Sequence, residues 1–243
     1  MPDQPARILR TPDDLQPADI QALYAQFDAP ILALDCGQQC APHNPNGIPF
    51  CCDICHSVPA AYHSEWRYLE PNTDLWHLWR DDECAAVTDP QAERQALEAD
   101  TPDSMLLLAC LGPQACQREY RALSCRQFPF FPYITADYRF LGLAYEWAFE
   151  GQCWVISHLE QVTPRYRQQF VQTYDRLFAW FDDEFENYAY HSERLREHFQ
   201  TRRRRIPLLH RNGNAYLLSP GSERLYKVAA QDFQRFGPYQ QAG

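Results

Sequence analysis

Ten cysteines stand at positions 36, 40, 51, 52, 55, 84, 110, 116, 125 and 153 of this 243-residue chain. Five fall in the run CGQQCAPHNPNGIPFCCDIC, which opens at Cys36, and three in CLGPQACQREYRALSC, which opens at Cys110. Thiolates are soft, negatively charged ligands suited to zinc and to iron–sulfur iron, and a metal offsets the repulsion of several held together. Buried free thiols acting as small hydrophobes suit Cys84 but not a vicinal pair, Cys51-Cys52, placed beside Cys55 and near a Cys-x3-Cys. The spacing therefore predicts a cysteine-held metal centre: an iron–sulfur cluster, with zinc as the alternative.

Named metal and redox patterns are each met only in part. Cys36-x3-Cys40 is followed at the radical-SAM spacing by His43 instead of a third cysteine. Cys52-Asp53-Ile54-Cys55-His56 fits a haem-attachment pattern, but that chemistry belongs to exported proteins. The ferredoxin spacing is absent, and a thioredoxin-like pair at Cys52 and Cys55 would want a βαβ setting.

The Cys-x3-Cys, the vicinal pair, a distant Cys116, and then Cys125-Arg126-Gln127-Phe128-Pro129-Phe130 together resemble the zinc- or iron-chelating family named for its CxxCxxCC signature. That family includes proteins similar to flagellin lysine N-methylases. The resemblance spans roughly residues 36–155 and implies about eight metal-ligand cysteines. Cys36, Cys40, Cys51 and Cys52 match the first cluster, Cys110, Cys116 and Cys125 the second, and Cys153 a late cysteine. Cys55, next to the vicinal pair, joins them as a ninth candidate ligand. This sequence departs from the family in the ten residues between Cys40 and Cys51, and in Leu123-Ser124 where the family has arginine-proline. The resemblance implies an oxidoreductase or a protein-modifying, N-methylase-like enzyme acting on a protein or small molecule. The alternative is a zinc-stapled structural or protein-binding module without catalysis. No catalytic residue is assigned.

Other reactive groups form weaker patterns. Arg126, beside a candidate ligand, is expected either to offset cluster charge, to hold an anionic substrate, or to pair with a carboxylate. His191 and His198 lie seven residues apart on a predicted helix, a surface pair sharing one face. Asp182, Asp183, Glu184 and Glu186 lack the spacing and glycine of a calcium loop and read as a solvated helix face. Arg202–Arg205 reads as a solvated helix end, where cations meet the negative end of the dipole.

These groups must be held by a globular chain, since 45% of its residues are hydrophobic and 14% aromatic. The net charge of −10 argues against the phosphate grip of a nucleic-acid binder. Residues 1–160 carry 9 Lys and Arg against 23 Asp and Glu, and residues 161–243 carry 13 against 9. The amino-terminal residues MPDQPARILRTPDDLQP show no apolar leader core, and no apolar run is long enough to span a bilayer. A cytoplasmic protein is expected, in which cysteines favour metals over disulfides.

Ile20, Leu23 and Phe27 predict a short helix within 12–35, followed by a strand at Ile31–Leu34. Helices are expected at 59–69 and 90–98, and mixed structure over 138–160. A long helix over 164–200, started by Thr163-Pro164, carries an apolar stripe of Phe170, Tyr174, Leu177, Phe178, Phe181 and Phe185. Asn212-Gly213 between Ile206–His210 and Ala215–Leu218 predicts a hairpin. The expected fold class is α+β, mainly α, with an irregular cysteine-rich metal-binding core, a long carboxy-terminal helix and a terminal β-hairpin. Residues 1–160 would form the cysteine-cluster domain, with 161–243 packed on it as one unit.

Overall fold

The computed structural model describes residues 11–84 and 86–240, so most of the amino-terminal stretch read for a leader lies outside the described residues. Helix α1 (Pro17–Gln26) begins on proline, whose missing N–H costs nothing in a first turn, and buries Ile20, Leu23 and Tyr24. The expected strand at 31–34 is a run of bends. Only Leu32 is buried there, so the segment has no apolar face to lay on a sheet. One turn of helix, α2 (Cys36–Cys40), follows, with the Asp35 carboxylate accepting from the Gly37 N–H at 3.0 Å.

Strand β1 (Ala60–Tyr62) runs directly into α3 (His63–Leu69), and β2 (Trp76–Leu78) follows. Helix α4 (Pro90–Asp100) is capped by Asp89, which accepts from the Ala92 N–H at 3.0 Å. Strand β3 (Met105–Cys110) pairs antiparallel with β1 through its first half and with β2 through its second. This gives a three-stranded sheet in the order β1-β3-β2.

Helix α5 (Leu123–Gln127) leads into the hairpin of β4 (Phe130–Ile134) and β5 (Phe140–Tyr145). The chain then forms α6 (Pro164–Trp180) and α7 (Asp182–Thr201), and ends in β6 (Ile206–His210), β7 (Ala215–Leu218) and β8 (Leu225–Val228). These five strands make one antiparallel sheet in chain order. Gly142 lets β6 come close: at φ +144°, any Cβ there would collide with the Leu209 carbonyl. One buried core runs from Leu15 to Phe236, and β5 pairs with β6, so residues on both sides of position 160 share a sheet and a core.

The expected fold class is thus corrected. The stretch read as an irregular cysteine-rich core holds a three-stranded sheet. Its centre, Met105–Cys110, is a short continuous apolar run whose pattern cannot separate strand from buried helix. The long helix breaks at Phe181, whose extended backbone (φ −132°, ψ 111°) ends α6 and begins α7. Asp182, Asp183 and Glu184 then occupy the first turn of α7, where the helix dipole favours carboxylates. The hairpin is one part of the five-stranded sheet and is followed by β8. Among the described residues, no three or more Cys, His, Asp or Glu side chains are gathered so as to hold a metal ion, so no ready-made metal-binding core is present.

Candidate functional site

Eight of the ten cysteines line one cavity of about 590 Å³: Cys36, Cys40, Cys51, Cys52, Cys110, Cys116, Cys125 and Cys153. All eight are free thiols. They come from separate parts of the chain. Cys36 and Cys40 sit at the two ends of α2, Cys110 ends β3, and Cys125 lies in α5. Cys51 and Cys52 share a short 3-10 turn, Phe50–Cys52. The loop around that turn is tied down by Asp53, which accepts from the side-chain amides of Asn44 (2.9 Å) and Asn46 (2.8 Å) and from the Cys55 N–H (3.1 Å). Cys153 is buried after the turn Trp147–Phe149.

Cys55 does not belong to this set. It is disulfide-bonded to Cys84, with Cα atoms 5.1 Å apart, a separation that permits the bond. A sulfur in a disulfide is no thiolate ligand, so the expected ninth ligand and the reading of Cys84 as a small hydrophobe are both corrected. Sequence separation, here 29 residues, carries no information on this proximity.

The cavity favours neutral thiols. Burial raises Cys36 to about 11, helped by the charges of Cys40 and Asp35. Burial also pushes Cys125 and Cys153 far up and raises Cys40 and Cys110. The vicinal thiols are hydrogen-bonded to each other, which raises Cys51 and lowers Cys52. Their mutual influence runs through Cys52, which acts on Cys51, Cys40, Cys110 and Cys125 alike. Cys51 feels Cys52 first and then Cys153 and Cys36, and Cys153 feels Cys36 and Cys40. Cys125 feels Cys110, Cys52 and Cys116. Such sets lose their protons together only when a cation compensates them.

Two fixed cations, Arg118 and Arg121, line the cavity. Arg121 donates from Nε to the Cys116 sulfur at 3.1 Å. Burial works against its charge, but that hydrogen bond and the charges of Cys116, Cys125 and Cys52 more than offset it, and its pKa is raised. Ser124 also lines the cavity, with a buried Oγ that has no hydrogen-bond partner. Phe128, Phe130 and Trp154 supply apolar wall, the shell that limits water around a metal group. The donor set is all sulfur, so its chemistry fits an iron–sulfur cluster or zinc, although the side chains do not yet converge.

Sequence reasoning missed Arg121, whose only signal was its place in the acidic cysteine-rich half. It singled out Arg126, which has a different task. Arg126 donates to five backbone carbonyls, those of Arg121, Tyr24, Phe27, Arg118 and Glu119, at 2.7–3.2 Å. Its guanidinium lies 4.2 Å from the Tyr24 ring centroid. It staples α1 to the loop before α5, and neither carboxylate pairing nor cluster charge accounts for it.

The histidines at 191 and 198 both lean on Trp147, with ring centroids 4.9 and 5.5 Å away. His191 also meets Glu146, a cavity-lining carboxylate, at 3.2 Å. Within the arginine run, Arg204 grips Glu150 at 2.7 and 2.8 Å, so that position is not a solvated end. Glu184, read as part of a solvated face, is buried.

No protein-family model matches the chain, and no curated protein or solved structure matches it. The likeness to the CxxCxxCC family therefore rests on the residue pattern alone. Among the described residues no helix is long and apolar enough to cross a membrane.

Proposed function

We propose that this chain is a cysteine-ligated iron–sulfur protein of the CxxCxxCC zinc- and iron-chelating kind. It would work in the cytoplasm as an oxidoreductase or a protein-modifying enzyme on a protein or small-molecule substrate. The observation that carries this reading is that eight free thiols from distant segments line one cavity of about 590 Å³. A structural zinc takes four thiolates on one point in a closed tetrahedron. Eight sulfurs spread around a cavity of this size suit larger groups, each held by four thiolates.

Eight thiols are enough for two such groups, and Cys52, which influences Cys40, Cys51, Cys110 and Cys125, couples them into one set. When bound, an iron–sulfur group supplies one-electron transfer, or a Lewis acid at an iron with an open position. The chain's own residues would supply thiolates, the compensating charge of Arg121, and an aromatic shell. The eight free thiols suit a reducing compartment, with the Cys55–Cys84 disulfide as the exception, and the net negative charge of the chain argues against a nucleic-acid partner.

The test is to purify the chain without oxygen, record its visible spectrum, and assay iron, acid-labile sulfide and zinc. Broad absorbance near ~400 nm that bleaches on reduction, with iron matched by sulfide, is expected of a cluster. A colourless protein with stoichiometric zinc would replace this reading with a zinc-stapled binding module.

A further inference from the structure

A second pocket, of about 540 Å³, abuts the cysteine cavity. The two share Pro30, Ile31, Arg118, Arg121 and Cys125 as common wall. Three arginines line the second pocket, Arg118, Arg121 and Arg126, against two carboxylates, Asp28 and Glu119. Among the described residues neither carboxylate forms an ion pair with Arg118 or Arg121. Asp28 is held by Arg165 at 2.9 Å and by the Gln169 amide at 2.8 Å, and Glu119 is exposed.

Arg126 has all its donors on backbone carbonyls. Arg121 commits Nε to Cys116, and its two terminal nitrogens have no hydrogen-bond partner among the described residues. The exposed guanidinium of Arg118 has neither a hydrogen bond nor an ion pair among those residues. Two arginine forks are thus free at one wall, the geometry that takes a carboxylate or phosphate bidentately. Beside them stand three tyrosine rings. Tyr24 meets Tyr68 edge-on at 5.6 Å, and Tyr68 tilts against Tyr120 at 6.5 Å. Ring faces of this kind receive a flat apolar body.

We infer that this pocket binds a small organic anion, a carboxylate or phosphate monoester carried on a flat ring. The anion lies on Arg118 and Arg121, and the ring lies against Tyr68 and Tyr120. The site is a feature of the arginines and tyrosines alone. That its occupant is the substrate of the neighbouring thiol-held group rests on the proposed function, because Arg121 and Cys125 stand in both walls.

The experiment is calorimetric titration of the full chain with phenyl phosphate and with benzoate, with benzylamine as the cationic control. Saturable one-site binding of at least one anion, and none of the amine, is expected; which anion binds identifies the phosphate or carboxylate arm. Arg118→Ala should weaken that binding about tenfold with an unchanged far-ultraviolet spectrum, since the side chain supports nothing else. Glu119→Gln should tighten it, and Tyr68→Leu should weaken it without changing its salt dependence. Absence of saturable binding by either anion, or binding indifferent to both Arg118→Ala and Glu119→Gln, overturns the inference. Metal is assayed on the same samples. Anion binding by a chain without metal would defeat the cofactor reading and leave the pocket standing, whereas iron with no anion binding would do the reverse.

Discussion

Arg121 donates its Nε–H to the Cys116 sulfur at 3.1 Å, placing a fixed positive charge against a cavity lined by eight thiols. If those thiols hold an iron–sulfur group, Arg121 offsets part of its negative charge from just outside the ligand set. Arg121→Gln should then weaken metal retention by about 10–100-fold, the usual cost of losing such a partner. The rate of iron release to a chelator reports it, and Arg121→Lys, which keeps the charge, should recover part of the loss.

The disulfide divides the cysteines by role. Replacing Cys55 and Cys84 together with serine should leave metal content unchanged, because neither lines the cavity. Their loop closure should be missed in stability instead, by roughly 2–4 kcal/mol when the bond is formed. Serine at Cys125 or Cys153 should lower iron per chain. Metal assays and denaturant titrations on the same variants separate the two effects.

Arg126 is a structural staple, so its loss should appear in stability first. Arg126→Gln leaves five carbonyls with at most part of their donors. Bonds to a charged donor contribute about 1.5–3 kcal/mol, and unsatisfied buried acceptors carry a further penalty. A loss of about 3 kcal/mol in urea unfolding is expected, whereas a change below about 0.5 kcal/mol would remove the staple from the account.

Buried Glu184 makes stability depend on pH. Burial pushes its carboxyl up to about 7, against the donation of the Tyr62 hydroxyl and with help from the charge of Glu65. The unfolded carboxyl titrates near ~4.3, so the folded chain holds the extra proton across the interval between the two. Stability from this group therefore falls as pH rises through that interval, and above about 7 the full cost, on the order of 3 kcal/mol, is present. Glu184→Gln should be more stable than the parent at pH 8, with the difference shrinking towards pH 5. Thermal unfolding at the two pH values measures it, and a variant equally destabilised at both would refute the assignment.

Local signals in the sequence read well because their physics is local. Thr163 caps α6 by accepting from the Tyr166 N–H at 3.2 Å, Asp89 caps α4, and Gly213 turns the hairpin at φ +88°. Whatever depends on distant partners was hidden. The acidic run at 182–186 looked like a solvated face, and its meaning as a helix start appears only once Phe181 leaves helical geometry. The apolar run at 105–110 could be strand or helix until β1 and β2 pair with it.

The candidate site divides in the same way. The clustering of cysteines along the chain was visible, and eight of the nine candidates line one cavity. The pairing of Cys55 with Cys84 was not visible, because it depends on where two loops meet in space. The different tasks of Arg121 and Arg126, five residues apart, follow from side-chain directions that no spacing encodes.

Everything proposed for the cavity depends on its thiolates holding iron. X-ray absorption at the iron and zinc edges of protein prepared without oxygen tests it most directly. Iron in an all-sulfur first shell with a second shell of iron is expected. Iron in a nitrogen and oxygen shell, zinc alone, or no bound metal with eight freely alkylated thiols would contradict it.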